Sequence, residues 1–160
     1  MSWSLELRNG DLNLSGTQLG QATGAQKLVQ DLRCAILEPR GNDNMHPDFG
    51  SIIDGGLDKF GREVESVIGS TDWAFVSLRV QNEINRLAQE LQQRQIARSK
   101  KDRYTYGEST LTPTEMLFSL SGFRLIQVQD TLVVEVTLTT GTGREIPITV
   151  PVADGTVLST

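Results

Sequence analysis

The sequence predicts an α+β fold: an antiparallel three- to four-stranded sheet packed against two or three amphipathic helices, with a small N-terminal hairpin. Three observations carry this expectation. Apolar residues recur at helical spacing over 25–36 and again over 73–91. The period then changes to alternation, with Leu132, Val134, Val136 and Leu138 on one face of a strand and Ile146, Ile148, Val150 and Val152 on one face of the next. Gly141 and Gly143 separate these two runs, as a turn between antiparallel strands requires. Amphipathic helices can cover the apolar face that such strands present.

In chain order, Trp3 to Leu7 and Leu12 to Leu14 alternate around Asn9-Gly10, two residues that tolerate the positive φ of a tight hairpin turn. A hairpin this small needs a partner surface. The stretch 16–24 is polar and glycine-rich and reads as a connector. Ala25, Leu28, Val29, Leu32 and Ile36 share one face of a helix over 25–37, which Pro39 and Gly41 stop. Turn residues fill 42–50. Weaker helical spacing follows over 57–68, interrupted by Gly61. Thr71 or Asp72 caps the longest helix, expected to run to about Arg98 with Trp73, Val76, Val80, Ile84, Leu87 and Leu91 as its core stripe.

The polar stretch 99–113 reads as a mobile loop, and 116–128 supplies one or two strands, bulged or broken at Gly122. Pro147 and Pro151 stand two pleats apart in the final strand, a pattern suited to an outer strand and not to a central one. They discourage pairing along their side, so an added strand is expected at the opposite edge or along the tail 152–158. No internal repeat stands out. The expected division is 1–24 for hairpin and connector, 25–152 for the main domain and 153–160 for a C-terminal tail.

The formal net charge of -5 argues against a general nucleic-acid binder, which carries a basic excess. The single cysteine, Cys34, leaves no internal disulfide and fits a reducing folding environment. The first six residues lack the basic and apolar regions of a signal peptide, and no run of 18 apolar residues is present. A chain made soluble in a cytoplasm, with no membrane partner, is expected.

Chemistry-bearing patterns are sparse. One His and one Cys do not make a zinc site, and Asp43, Asn44 and Asp48 have the spacing of turn formers, not of a calcium loop. Neither a phosphate-cradling loop nor a dinucleotide fingerprint occurs. His46, beside Pro47, is a poor candidate for a general base. Glu38 and Asp48 are the carboxylates that a glycoside-cleaving site would draw on. Accordingly, no catalytic residue, cofactor or metal is expected. Arg94, Arg98, Lys100, Lys101 and Arg103 form a basic cluster that either offsets a helix C-terminal dipole or receives an acidic partner.

The most informative stretch is Leu37-Glu38-Pro39-Arg40-Gly41 followed by Met45-His46-Pro47-Asp48-Phe49-Gly50-Ser51. It resembles the baseplate wedge family of contractile phage tails, the tail-sheath initiators, whose members carry a T-x-[RK]-G turn followed by P-[DE]-[FY]-G. The order of helix, loop, long helix and β-meander is also similar, over roughly 25–150. The family's Glu-Pro-Arg motif after its long helix is not matched. That region reads Leu91-Gln92-Gln93-Arg94-Gln95-Ile96, where only Arg94 corresponds.

The resemblance implies a structural subunit and not an enzyme. It would be assembled in the host cytoplasm into the virion's tail baseplate, in six copies. Its expected partners are the tail sheath protein and other baseplate wedge proteins, with tail tube or hub proteins as further neighbours, and no nucleic acid. It would nucleate the sheath by β-strand augmentation. Arg40, Pro47, Asp48, Phe49, Gly50 and Arg94 are the expected partner-binding residues, with the two arginines as ion-pair donors. The alternative is a peptidoglycan-cleaving tail enzyme, since family members have carried a lysozyme label. A cytosolic adaptor of similar fold is the third reading.

Overall fold

The computed structural model describes residues 3–8, 11–15, 18–129 and 131–153. The chain opens with six short strands: β1 (Trp3–Leu5), β2 (Leu7–Arg8), β3 (Asp11–Leu12), β4 (Leu14–Ser15), β5 (Gln18–Leu19) and β6 (Gln21–Thr23). They pair antiparallel as β1–β6, β2–β3 and β4–β5. Between the pairs, three backbone groups close a triangle. Asn13 N–H donates to Glu6 O, Gly20 N–H to Asn13 O and Glu6 N–H to Gly20 O, each at 2.8 Å.

The expected hairpin is present as β2–β3, with Leu7 opposite Leu12, while its Asn9-Gly10 turn lies outside the described residues. Trp3–Leu5, however, pairs with 21–23, and the supposed connector carries β5 and β6. Its glycine content misled. Gly20 occupies the crowded centre of the triangle, where a Cβ would stand 2.7 Å from Glu6 Oε2. The triangle also exposes a seven-residue repeat, in which Glu6, Asn13 and Gly20 follow Leu5, Leu12 and Leu19.

Helix α1 (Gly24–Leu37) buries Leu28, Leu32 and Ile36, as its spacing requires. Gln30 on α1 anchors the N-terminal strands by accepting from Leu7 N–H and donating to Leu5 O. Three strands follow, β7 (Pro39–Arg40), β8 (Ser51–Leu57) and β9 (Glu63–Val64), forming a sheet of order β7–β8–β9. The helical spacing over 57–68 therefore does not become a helix. Gly61 lies at φ 74°, and the Asp58 carboxylate accepts from Phe60 and Arg62 N–H, which makes a turn between β8 and β9.

Helix α2 (Trp73–Tyr106) is capped by Asp72, whose side chain accepts from Phe75 N–H. It does not stop near Arg98: residues 99–106, expected as a loop, are helical. Val76, Val80, Ile84 and Leu87 are buried as expected, but Trp73 is 42% exposed. A short 3-10 turn at Pro113–Glu115 leads to β10 (Leu117–Val128), β11 (Thr131–Thr140) and β12 (Glu145–Ala153). These form one antiparallel sheet with β11 in the middle, so β12, with Pro147 and Pro151, is an outer strand. The register of β10 shifts between Ser121 and Arg124, around Gly122 at φ 62°. Leu132, Val134, Val136 and Leu138 join Ile148, Val150 and Val152 in one core with the buried faces of α1 and α2. The architecture is α+β, with the sheet covered on its apolar face by helices.

Candidate partner-binding corner and sheet edge

The loop 38–50 leaves α1 and returns to the same place. Ser51 N–H donates to Glu38 O at 2.8 Å, closing the loop at its base. Gly50 makes this closure possible. It lies at φ 103°, and a Cβ there would stand 2.3 Å from Glu38 O. Within the loop, the Asp43 carboxylate accepts from Met45 N–H and pairs with His46 Nδ1 at 2.9 Å. The His46 hydrogen bond, reinforced by the Met45 amide, holds the Asp43 carboxyl below its ordinary range. The backbone of Phe49 bonds to His46 O at 3.0 Å. The outcome is a hydrogen-bonded corner that presents Pro47 and Asp48 to solvent.

Of the expected binding residues, Arg40 meets Asp48 at 3.4 Å, with the Arg40 side chain largely covered and Asp48 exposed. Phe49, Gly50 and Arg94 come together at a cleft of ≈ 250 Å³ between α1 and α2, which Leu32, Cys34 and Leu91 also line. The Arg94 guanidinium lies 5.9 Å from the Phe49 ring centre and 4.0 Å from a Glu90 oxygen. Burial, then the charges of Asp31 and Glu38, push the Cys34 thiol up, so it is a poor thiolate. Glu38 accepts from Asn42 Nδ2 at 2.9 Å, which places the two carboxylates of the glycosidase alternative in separate polar contacts. Among the described residues no group of three or more metal-ligating side chains is assembled.

Sequence reasoning missed the most heavily bonded pair at this corner. Arg86 donates to Glu83 at 2.6 and 2.9 Å, to Glu90 at 2.5 Å and to Gly50 O at 2.9 Å. The Glu83 carboxylate, 6% exposed as a residue, also accepts from Ile52 N–H at 2.9 Å. The hydrogen bonds that Arg86 donates to Glu83 hold its guanidinium above its ordinary value despite partial burial. This network fastens the end of the corner and the start of β8 to the middle of α2. The available signal was the i, i+3, i+7 spacing of Glu83, Arg86 and Glu90.

The second element is the border of the C-terminal sheet. Among the described residues neither β10 nor β12 has a strand on its outer side. On β12, Pro147 and Pro151 remove two donors. β10 has no proline, and α2 reaches its first residues: Gln92 donates to Phe118 O at 2.7 Å, and Gln95 accepts from Leu117 N–H at 2.9 Å. Beyond Phe118 the strand runs on through Val128, with Phe118 and Val128 exposed. No helix among the described residues is long and apolar enough to cross a membrane. The chain matches no protein-family model, no curated protein and no solved structure.

Proposed function

We propose that this protein is a structural wedge subunit of a contractile-tail baseplate, and that it nucleates the sheath by taking an extended sheath arm onto the free border of β10. The observation that carries this reading is the asymmetry of the C-terminal sheet. One outer strand is interrupted by Pro147 and Pro151, and the other, β10, is long and free of proline. An extended segment added there gains main-chain hydrogen bonds, and alternate side chains set its specificity. The 38–50 corner offers wedge neighbours the exposed Pro47 and Asp48 and, beside the half-buried Phe49, Arg94, while the covered Arg40 and the buried Gly50 hold its shape. Six copies on a sixfold tail would multiply weak single contacts by avidity.

A proline scan over Arg124, Leu125, Ile126 and Gln127 tests the edge. Successive N–H groups on a strand point alternately toward β11 and outward. Two of the four variants should fold normally yet fail to seed polymerisation of the sheath subunit of the same tail, seen by electron microscopy. The other two should lose stability. Normal seeding by every folded variant would remove β10 as the acceptor. Clearing of a cell-wall suspension by the purified wild type would instead support the peptidoglycan-cleaving alternative. Arg94→Ala should weaken co-purification with wedge partners, and undiminished recovery would count against the corner.

A further inference from the structure

We propose that the exposed basic turns at the C-terminal end of α2, from Arg94 to Tyr106, are a docking surface for an acidic protein segment. Apolar burial does not account for the helix running this far. Beyond Leu91, the buried positions on α2 are Gln95 and Asp102, both polar. Asp102 secures the end. Its carboxylate accepts from the Thr110 hydroxyl and, at 3.3 Å, from Thr110 N–H, and Gly107 closes the helix at φ 81°. A covered carboxylate is thus committed to keeping largely exposed turns helical.

Those turns carry Arg94, Arg98, Lys100, Lys101 and Arg103, a third of the 15 lysines and arginines in a chain of net charge -5. Arg94 and Arg98 have carboxylates at 4.0 and 3.8 Å. Among the described residues, Lys100, Lys101 and Arg103 have no carboxylate within ion-pair distance. The helix dipole acts only over the last turn, where Arg103 is the basic residue, so it explains one of the five. Ile96, Lys100 and Tyr104 follow one another at four-residue spacing, on the side turned away from Gln95 and Asp102. Tyr104 is 93% exposed and Tyr106 71%. Rigid tyrosines beside arginines are the residue types that anchor protein interfaces.

Single-stranded nucleic acid also favours cations with aromatics. The remainder of this chain, however, is strongly acidic and repels a long polyanion, whereas a short acidic segment need meet only α2. The test compares a fluorescent glutamate-rich peptide carrying a few leucines with a fluorescent single-stranded oligonucleotide, by anisotropy at low and high salt. The wild type should bind the peptide at low salt and lose it at high salt. Lys100→Gln/Lys101→Gln/Arg103→Gln should abolish binding with the far-UV dichroism unchanged. Arg33→Gln/Lys59→Gln/Arg144→Gln, which removes equal charge from other exposed positions, should retain it. Tyr104→Ala should weaken it about five- to tenfold. No peptide binding by the wild type, equal losses in both triple variants, or binding of the oligonucleotide alone would overturn the proposal.

Discussion

Arg86→Ala should cost about 3–5 kcal/mol, the scale seen when one partner of a buried ion pair is removed. The deletion strips Glu83 of two short bonds and leaves a carboxylate whose side chain is only 8% exposed. Gly50 O and Glu90 each lose a donor as well. These losses do not add, and the Arg86 side chain retains 25% exposure, so the lower half of that range is expected. Against a total stability of about 5–15 kcal/mol, about a fifth or more would be lost. At about 2–4 °C per kcal/mol for a chain of this size, Tm should fall by about 6–16 °C. Arg86→Met with Glu83→Gln keeps an acceptor for Ile52 N–H while removing both charges, and should return to within about 1–2 kcal/mol of wild type. Urea unfolding followed by far-UV dichroism measures all three proteins, and amide exchange at Ile52 reports the corner locally. An Arg86→Ala protein within about 0.5 kcal/mol of wild type would refute the reasoning. So would a double variant weaker than the single one.

Gly50→Ala forces a side chain into left-handed backbone and against Glu38 O, and should destabilise by about 2–4 kcal/mol in the same urea assay, with the 38–50 loop exchanging fastest. Gln95→Leu removes a donor from Glu115 O and an acceptor from Leu117 N–H, both in covered positions, and should cost about 2–3 kcal/mol and accelerate exchange at Leu117. The Thr110 hydroxyl, then its amide N–H, with Arg98 and Lys101, holds the Asp102 carboxyl below its ordinary range. A depressed folded-state value means that its contribution is complete above the ordinary Asp value of about 3.9 and is lost as pH falls through the lower folded value. Amide exchange at Thr110 should therefore rise below about pH 4, before global unfolding, and Asp102→Asn should remove that acid step.

The elements that sequence periodicity located are those stabilised by apolar burial. Helix α1 and strands β11 and β12 bury most of the residues whose spacing announced them, with Ala25, Val29 and Ile146 half-buried. Pro147 and Pro151 marked β12 as an outer strand because proline lacks the donor that a central strand needs. The misreadings fall where polar groups or backbone do the holding. Residues 57–68 carry helical spacing, yet Gly61 lies at φ 74° and the Asp58 carboxylate accepts from Phe60 and Arg62 N–H, which turns the backbone there. The N-terminal strands are tied by three backbone bonds at Glu6, Asn13 and Gly20, and only the seven-residue spacing of those positions signals them. Phe49 and Arg94, singled out from the sequence, do share a cleft, whereas Glu83 and Arg86 went unnoticed because a charged pair inside a helix ordinarily faces solvent.

Helix α2 explains both the misplaced end and the geometry of the proposed surfaces. Its buried face runs from Val76 and Val80 through Glu83, Ile84 and Leu87 to Gln95 and Asp102, so the stripe continues after its apolar residues stop. Each of the three polar members accepts a backbone N–H from a different segment: Ile52, Leu117 and Thr110 respectively. Apolar contacts allow small slides between packed surfaces, whereas a directional bond to one N–H fixes a segment's position along the helix. The corner at 50–52 and the first residues of β10 are therefore registered on one strut, about 18 Å apart at 1.5 Å per residue from Glu83 to Gln95. In the proposed baseplate role, a strand drawn onto β10 would load Gln92 and Gln95. The helix would carry that load to Glu83 and Arg86 and so to the wedge-facing corner. On that reading, sheath attachment and wedge attachment would be coupled through side chains that touch neither partner.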